Sequence, residues 1–476
     1  MSEDHNNKLN IQISSHLVYS LWLKLKTNKS SGSDGISPRL LVALADVIFE
    51  PLTHLFCLCI ESAQMPQIWK LANVCPIPKK PRPSIDDLRP ISMLPIFSKL
   101  LEKIILASIQ PSLIKLYGAN QFGFRPLSST LHANISLHNF VTEELEKSNT
   151  KAVMLVSTDF KRAFDSLSHH KLLKSLREGH LPQRFIEWCG SFLDERSHRV
   201  VLDDSVFSSP VAATSGVPQG SVLSPYLFGA HLGSLYTTIS GAEMIKYADD
   251  VITVVPIQHH SMVDDLITQA LSDIQLWSND NGLKLNCEKT KVLIISKKGL
   301  TVAPTNQENL RYVLEEMKFL GITYNTKLTW TSHIAQTCSK ARRHLFILKQ
   351  LKRFADRRCM VTAYSALVLS ILEYCGPLFL GIDISNSKKT EKIRKRAHRI
   401  ICGPDCDCSS FEVLADRRRT QSLKFLRAMA NPHNILHHLY PCTLPRTKKL
   451  AMPHCTTSRR LSSFIPQCIL LHNSLI

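Results

Sequence analysis

Two adjacent carboxylates, Asp249 and Asp250, lie between two short segments rich in β-branched residues within residues 244–255. This pattern predicts two short strands joined by a tight turn that carries both carboxylates. Aspartate is also a common turn residue for local hydrogen-bonding reasons, so the pair alone does not define a site. A third carboxylate, Asp159, follows the apolar run of residues 152–158, which is typical of a buried strand.

Three carboxylates that converge at strand ends would repel one another unless cations lay between them. Hard oxygen ligands with open positions suit Mg2+ or Mn2+. Two such ions form the clamp used for in-line phosphoryl transfer. We therefore expect Asp159, Asp249 and Asp250 to bind metal ions.

The elements around these residues alternate in type. Residues 152–296 are predicted to form, in order, a strand, a helix, a pair of strands, a helix, the Asp hairpin, a helix and a strand. The helix after the hairpin has the clearest pattern, with Ser261 as its predicted cap and Asp264 at the third position. Its predicted buried stripe is Val263, Leu266, Ile267, Ala270, Leu271, Ile274 and Trp277. This order fits a split βαβ layout, in which helices back an antiparallel sheet.

Further upstream, residues 97–105 carry apolar side chains at helical spacing. They predict an amphipathic helix with Lys99, Glu102 and Lys103 on the opposite face, and no function is required of it.

The composition describes a globular protein with an uneven charge. A chain of 476 residues is too long for one ordinary core, so several subdomains are expected. Residues 1–325 carry 32 Lys and Arg against 31 Asp and Glu, whereas residues 326–476 carry 26 against 8. A solvated basic face is one explanation, but so one-sided a charge usually marks a polyanionic partner, most often nucleic acid.

The chain shows neither an N-terminal signal peptide nor an apolar run of 18 residues, which predicts an intracellular protein of the cytoplasm or nucleus. Its 14 cysteines follow no repeating disulfide pattern, so reduced thiols are expected. A zinc site is a competing hypothesis for five residues whose spacing matches no regular pattern. They are Cys402, Cys406, Cys408, His454 and Cys455.

Three segments together resemble the main motifs of one polymerase family. Tyr247-Ala-Asp-Asp250, Asp159-Phe-Lys-Arg-Ala-Phe-Asp165 and Ser215-Gly-Val-Pro-Gln-Gly-Ser-Val-Leu-Ser-Pro225 resemble motifs of the reverse transcriptases of non-LTR (LINE-type, jockey-like) retrotransposons. The resemblance implies an α+β right-hand polymerase, with fingers, a palm built from an antiparallel sheet and helices, and a helical thumb. It also implies an RNA-directed DNA polymerase that uses two Mg2+ ions, with Mn2+ as a substitute, and it includes Phe160 in the metal site.

The resemblance assigns five residues to the incoming nucleotide. Lys79 and Arg89 would reach the triphosphate, although exposed charges can simply be surface residues; arginine binds phosphate oxygens with two parallel hydrogen bonds. Phe164 would exclude a ribose 2′-hydroxyl, unless it is only a core aromatic. Gln219 and Gly220 would support the nascent base pair at the start of the next helix, where glycine lets another backbone or a ligand approach.

Other residues are assigned to chemistry, template or primer. Lys289 would donate a proton to pyrophosphate, or it is a strand-edge lysine that keeps the sheet soluble. Arg125 would contact template phosphate, or it is a structural arginine beside a glycine turn. Tyr247 is placed at the primer or template, and Phe319 and Gly321 fall in a primer-grip hairpin.

The predicted domains are an N-terminal extension (1–30), fingers (31–145), palm (146–325), basic helical thumb (326–430) and C-terminal tail (431–476). The thumb would hold the duplex by phosphate contacts, which position nucleic acid without reading bases. Along one predicted thumb helix the cations expected on the exposed face are Lys392, Arg394, Lys395, Arg396 and Arg399.

Two alternatives remain open. The chain could be a catalytically decayed copy that only binds nucleic acid, or a group II intron reverse transcriptase, although no splicing-related domain is evident. No endonuclease or ribonuclease H segment is evident either. We therefore expect dNTP addition to a supplied DNA primer on an RNA template, without nicking of plasmid DNA.

Overall fold

The computed structural model describes residue 11 and residues 13–203, 206–403 and 411–476. Cys406 and Cys408 of the zinc hypothesis lie outside the described residues. The strands are β1 (Leu71–Pro78), β2 (Leu88–Met93), β3 (Ala152–Thr158), β4 (Phe160–Lys161), β5 (Ser197–Asp203), β6 (Val206–Phe207), β7 (Val211–Ala212), β8 (Glu243–Tyr247), β9 (Asp250–Ile257), β10 (Lys284–Leu285), β11 (Lys291–Ser296), β12 (Glu316–Phe319) and β13 (Ile322–Asn325).

The α-helices are α1 (Ser15–Leu23), α2 (Pro38–Ala43), α3 (Ala45–Glu61), α4 (Ile96–Lys115), α5 (Thr130–Glu144), α6 (Ala163–Ser166), α7 (His169–Glu178), α8 (Gln183–Leu193), α9 (Ser224–Leu232), α10 (Val263–Asn281), α11 (Gln307–Leu310), α12 (Thr331–Leu351), α13 (Arg357–Tyr364), α14 (Ser370–Leu372), α15 (Ile384–Cys402), α16 (Leu414–Met429), α17 (Ser458–Leu461) and α18 (Phe464–Asn473).

The described parts of Met1–Phe124, Asp159–Tyr236 and Asp273–Asn286 form one compact unit, here called unit 1. Its main sheet has the order β2, β1, β5, β6, with β7 also paired to β5. Strand β1 runs antiparallel to β2 and parallel to β5. An aromatic cluster of Trp22, Phe56, Trp69 and Phe97 packs at the base of β1. Burial of these rings fixes the start of the strand that leads to Lys79.

Helix α4 corrects one expectation from the sequence. Glu102 is fully buried, not on a solvent face, and it accepts hydrogen bonds from Ser98 Oγ (3.0 Å) and from the backbone N–H groups of Val222 (2.7 Å) and Leu223 (3.1 Å). The side chain of Ser221 also donates to it. A buried carboxylate needs such donors, and three of them come from a loop about 120 residues away, which periodicity cannot reveal.

The described parts of Arg125–Thr158, Thr237–Ser272 and Cys287–Ile476 form the second compact unit, unit 2. Its central sheet is antiparallel throughout, in the order β11, β3, β9, β8. One face of this sheet is covered by the apolar side of α10, through Val263, Ile267 and Ala270. A separate core joins α12, α13 and α15 in the C-terminal part of unit 2.

The start of helix α10 also differs from the expectation. A 3-10 turn, His260–Met262, precedes the helix, which begins at Val263, so Ser261 does not cap it. Asp264 instead accepts hydrogen bonds from Thr305 N (2.8 Å) and Asn309 Nδ2 (2.8 Å). Partial burial raises the pKa of Asp264, but these donors outweigh it and lower the pKa to about 2. The carboxylate therefore anchors the loop that leads into α11.

Within the described part of the chain, every helix is too short or too polar to cross a bilayer. The cysteines in that part all carry free thiols.

Candidate active site

The structure confirms the predicted hairpin, but Asp250 is the first residue of its second strand and not part of the turn. Tyr247 at the end of β8 pairs with Asp250 at the start of β9, so the turn consists of Ala248 and Asp249 alone. Ala248 has a φ of 55°, which costs energy for a residue with a side chain and is typical of tight hairpin turns. Asp249 is half-buried and Asp250 is exposed. The two carboxylates thus stand at one end of the central sheet of unit 2.

The register of this sheet brings the end of β3 to the same edge. Thr158, the last residue of β3, pairs with Val251, the second residue of β9. On the other side of β3, Ser157 pairs with Lys291, the first residue of β11. Asp159 is the next residue after Thr158 in the chain. The strand that leads to Asp159 therefore ends level with the strand that starts at Asp250.

The backbone of Asp159 is fixed within unit 1. Its carbonyl accepts a hydrogen bond from Asn286 N (2.8 Å), next to the short β4–β10 pair. Phe160 follows it with only 3% of its surface exposed, and its ring packs on Trp277 at 6.0 Å between centroids. The side chain of Phe160 belongs to the core, so only its backbone is available to a metal.

Among the residues that the structure describes, no three His, Cys, Asp or Glu side chains are grouped closely enough to hold a metal ion. The metal-binding role of Asp159, Asp249 and Asp250 therefore stays a prediction from the sequence. Carboxylate oxygens on a hairpin and at a strand end are hard ligands of the kind that suits Mg2+.

Phe164 lies in the short helix α6 and is held from several sides within unit 1. Its backbone carbonyl accepts a hydrogen bond from Val217 N (2.7 Å). Its ring stacks on Phe228, with centroids 4.4 Å apart and planes at 22°, and meets Phe124 edge-on at 6.1 Å. The ring is half-buried, so one part is packed and another part is open. Phe228 and Phe124 are supporting residues that no local sequence signal identifies.

The segment Pro218-Gln-Gly220 forms a turn and does not begin a helix, because α9 starts only at Ser224. Gln219 is held at both ends: its carbonyl accepts from Ser92 N (2.7 Å), and its Nε2 donates to Asp165 Oδ1 (2.8 Å). Gly220 has a φ of 141°, and a Cβ there would lie 2.2 Å from the backbone oxygen of Ser92. Close approach of the backbone at Ser92 therefore requires glycine at this position.

Asp165, which the sequence did not single out, connects several of the predicted residues. Burial raises the pKa of Asp165, although the hydrogen bond from Gln219 and the charges of Arg162, Lys79 and His198 oppose this effect. Lys79 thus lies within electrostatic range of the Asp165–Gln219 pair. Its own position is set just beyond β1, where its N–H donates to Asp87 O (2.9 Å).

Arg89 lies in β2, opposite Ile77 of β1, and is exposed. The same strand continues to Ser92, whose backbone contacts both Gln219 and Gly220. Unit 1 therefore links Arg89, Gln219, Asp165 and Phe164 through one strand and one loop.

The other residues assigned to catalysis, template or primer all lie in unit 2. Lys289 is exposed and ends a 3-10 helix, Cys287–Lys289, two residues before β11 begins, so it lies at the same end of the sheet as the Asp hairpin. Tyr247 is half-buried beside that hairpin. Arg125 is half-buried in a turn, where its carbonyl accepts from Ser128 N (3.2 Å).

The β12–β13 hairpin turns at Leu320 and Gly321, which have φ values of 44° and 85°. Positive φ at both positions is typical of a type I′ turn. Tyr374 donates to Leu320 O (2.7 Å), and its ring lies 2.9 Å from where a Cβ of Gly321 would be. Phe319 is 2% exposed, so its side chain is not available to a primer, whereas the backbone at the turn is.

The basic helix α15 has an apolar face that includes Ile393 and Ala397, as predicted. Arg394, however, is not on the exposed face. Only 3% of its side chain is exposed, its Nε contacts Glu391 Oε1 at 2.5 Å, and its guanidinium donates to Phe411 O (2.6 Å). Position 394 lies next to the buried stripe of the helix. The arginine is accommodated there because it forms an ion pair with Glu391. The exposed cations of this helix include Lys392, Lys395, Arg396 and Arg399.

Comparison with known proteins agrees with these features. A family model described as "Reverse transcriptase (RNA-dependent DNA polymerase)" matches residues 77–324. The RNA-directed DNA polymerase from mobile element jockey of Drosophila melanogaster is 28% identical, over 94% of this chain and 51% of the relative. The probable RNA-directed DNA polymerase from transposon BS of the same species is 27% identical, over 80% of this chain and 43% of the relative. The chain thus spans about half the length of these curated relatives.

Among solved structures, apo telomerase from Candida tropicalis superposes with a TM-score of 0.44 at 14% identity, over 82% of this chain and 68% of that one. The family model covers more than half of the present sequence. This chain therefore belongs to the reverse transcriptase (RNA-dependent DNA polymerase) family, and its sheets and helices form the α+β right-hand polymerase fold that the motifs predicted.

Proposed function

We propose that this chain is an RNA-directed DNA polymerase of a non-LTR retrotransposon that adds dNTPs to a DNA primer 3′-hydroxyl on an RNA template. The observation that carries the proposal is the strand register, because β3 ends level with the Asp hairpin at one end of a buried antiparallel sheet. Membership of the reverse transcriptase family supports the same activity. Relatives described as RNA-directed DNA polymerases of mobile elements support the retrotransposon origin.

Asp159, Asp249 and Asp250 would hold two Mg2+ ions, or Mn2+ in their place. Bound there, the ions would lower the charge barrier for in-line attack on the α-phosphate. The task of this chain is to fix the three carboxylates. Asp159 is held through its carbonyl by Asn286, and the other two are held by a two-residue turn.

The nucleotide would be held by side chains of unit 1. Arg89 and Lys79 are cations at or just beyond the ends of paired strands, and they would bind triphosphate oxygens. Phe164, packed on Phe228, would close the space beside the sugar against a 2′-hydroxyl. Gln219 and Gly220 would lie under the nascent base pair, on a turn held by Ser92 and Asp165.

Lys289 would donate a proton to the departing pyrophosphate. Arg125, Tyr247 and the backbone of the Phe319–Gly321 hairpin would contact template and primer. In this proposal the fingers, palm and thumb correspond to residues 31–145, 146–325 and 326–430.

The test is primer extension on an RNA template by purified protein with the variant Asp249→Asn. Loss of one anionic metal ligand should reduce dNTP incorporation at least about a hundred-fold, while affinity for the primer–template in the absence of dNTP changes little. Asp265→Asn is the matched control, because Asp265 is an exposed aspartate of α10 in the same unit.

Undiminished synthesis by Asp249→Asn would exclude the metal-site assignment. Binding of primer–template by the unmodified protein without any incorporation would favour the alternative of a catalytically decayed, nucleic-acid-binding copy.

A further inference from the structure

Helix α12 presents two opposite faces of different character. One face is buried in the C-terminal core of unit 2 through Ile334, Ala341, Leu345 and Leu348. The opposite face carries side chains at i, i+4 and i+7, which share one side of a helix. These are Arg342, Phe346 and Lys349, and all three are exposed.

The exposed face includes aromatic rings that the fold does not use. Phe346 is 64% exposed, and Phe354, just beyond the end of the helix, is 90% exposed. Residues 352–354 continue the helical turn, since Lys352 N donates to Leu348 O (3.1 Å) and Phe354 N donates to Leu351 O (2.9 Å). At a rise of about 1.5 Å per residue the two rings stand about 12 Å apart along the axis. Exposed phenyl rings lack the stabilisation that burial would give them, and both rings are accessible to a partner.

The cations around these rings identify the chemistry of that partner. Arg342, Arg343, Lys349, Lys352 and Arg353 are all exposed, and in the described part of the chain none of them forms an ion pair. Helix α13 then starts with two further exposed arginines, Arg357 and Arg358.

Asp356 is the acidic residue in this stretch, and its carboxylate accepts from Cys359 N (2.7 Å) as the N-cap of α13. The surface therefore combines strong positive charge with open aromatic faces. An apolar protein helix would leave these cations without partners, whereas a polyanion with planar bases would satisfy both features.

We propose that Arg342, Arg343, Phe346, Lys349, Arg353 and Phe354, here called the α12 surface, bind single-stranded RNA by stacking bases on Phe346 and Phe354. Stacking requires unpaired bases, because paired bases in a duplex have their faces covered by their neighbours. The cations bind the phosphates between the stacked bases. The choice of RNA rests on the proposed function, since an RNA template would supply an unpaired strand. Stacking itself is independent of polymerisation.

The test measures equilibrium binding of the full-length protein without dNTP or metal. The probe is a labelled single-stranded RNA of about 12 nucleotides, within the usual range of site sizes for such surfaces, and a double-stranded RNA of equal length is the comparison. Phe346→Ala and Phe354→Ala should each weaken single-strand binding about ten-fold and leave duplex binding within about two-fold. Tyr236→Ala is the matched control, because Tyr236 is an aromatic residue that is 71% exposed and belongs to unit 1, not to the α12 surface.

Two substitutions separate stacking from general apolar contact. Phe354→Trp keeps an aromatic face and should retain the affinity of the unmodified protein, whereas Phe354→Leu keeps an apolar side chain and should lose about as much as Phe354→Ala. Because both rings are exposed, circular dichroism melting of all variants should match the unmodified protein.

Several results would overturn the proposal. Unchanged single-strand affinity in both alanine variants would remove the stacking role. Equal losses for single-stranded and double-stranded RNA would show that the rings do not act by stacking on unpaired bases. Full affinity in Phe354→Leu would indicate an apolar partner, and a larger effect on single-stranded DNA than on RNA would exclude RNA as the ligand. Absence of polymerase activity would count against the proposed function and leave these binding results unaffected.

Discussion

At the scale of single residues, the unit 1 site depends on places where the backbone of one segment approaches that of another. Gly220 is the tightest of these among the proposed site residues. Its φ of 141° is costly for residues with a side chain, and an added Cβ would lie 2.2 Å from the carbonyl oxygen of Ser92. The contact cannot relax through a flexible side chain, because both partners are backbone. The hydrogen bond between Ser92 N and Gln219 O depends on the same approach.

Gly220→Ala should therefore be strongly destabilising. Gly241→Ala is the matched control, because Gly241 also has a positive φ (75°) but a Cβ there would contact nothing within 4 Å. The control should lose roughly 1 to 2 kcal/mol, the cost of placing a non-glycine residue in that region. Gly220→Ala should lose at least about 1 kcal/mol more, because the steric clash is added. Urea unfolding of both variants measures the difference, and equal losses would show that the loop can move away from β2.

The residues found from sequence are those with local signals. The Asp hairpin, the strand before Asp159 and the glycine at position 220 all have turn or strand patterns that a short window contains. Glu102 and Arg394 were interpreted wrongly as solvent-facing, because helical spacing reports which face is apolar but cannot report that a charged side chain is buried against backbone groups outside the helix, here Val222 N and Phe411 O. Asp165 was missed as a site residue for a related reason. Its role comes from Gln219, 54 residues along the chain.

At the scale of elements, helix α5 shows what a hydrophobic pattern cannot predict. Its buried side chains include the polar residues His132, Asn134, His138 and Asn139. Asn134 accepts from Tyr324 Oη (2.9 Å), and Asn139 accepts from Arg460 (2.8 Å). A helix with polar side chains can be buried when those side chains have hydrogen-bond partners. The amphipathic helices, in contrast, were located correctly because their apolar stripes repeat with the helical period.

A second set of hydrogen bonds to a polar side chain holds the C-terminal segment next to the end of α5. Glu146 accepts hydrogen bonds from Thr456 N (2.7 Å) and Thr457 N (3.0 Å), and from the hydroxyls of both threonines. Thr457 is also the N-cap of α17, so one carboxylate fixes the start of that helix. Burial raises the pKa of Glu146, but the four hydrogen bonds outweigh it and lower the pKa to about 2.

Glu146→Gln should release this segment in a pH-dependent way. An amide can replace only part of the acceptor capacity, so the backbone amides of Thr456 and Thr457 should exchange faster with solvent at neutral pH. Because the folded pKa lies below the ordinary value of 4.5, the stabilising effect is complete above pH 4.5 and is lost as the pH falls towards 2. The melting temperatures of the two proteins should therefore differ at pH 6 and converge as the pH approaches 2.

Hydrogen exchange followed by mass spectrometry, together with melting curves across this pH range, measures both effects. Glu50→Gln is the control, since Glu50 is an exposed glutamate in α3. A constant difference between Glu146→Gln and the unmodified protein at all pH values would contradict the assignment.

At the scale of the whole molecule, charge is distributed unevenly along the chain. Residues 326–476 contribute 26 Lys and Arg against 8 Asp and Glu, while residues 1–325 are nearly neutral with 32 against 31. This difference could be read from the sequence. The sequence could not show which of these cations form ion pairs and which lie free on the surface. Arg394, Arg417 and Arg460 form ion pairs with acidic side chains. The effective field depends on the cations that remain exposed.

Affinity for a primer–template duplex should therefore fall steeply with salt, and the slope should depend on the exposed cations of α15. Each phosphate that a cation binds contributes about 0.7 to 0.9 to the slope of log K against log salt, because its binding releases condensed counterions. Replacing four exposed cations by glutamine should flatten the slope in proportion to the phosphates that are no longer bound, by up to about 3. The four are Lys392, Lys395, Arg396 and Arg399.

Two controls separate this effect from charge in general and from damage to the fold. Four exposed lysines of unit 1 carry the same total charge, and their replacement should leave the slope unchanged; they are Lys24, Lys26, Lys29 and Lys115. Arg394→Gln should lower the melting temperature with little change in slope, because this arginine binds Glu391 and the carbonyl of Phe411. Fluorescence anisotropy between about 50 and 200 mM salt resolves slopes of this size. Equal flattening by both fourfold variants would show that the duplex responds to net charge alone, and α15 would then have no special part in holding it.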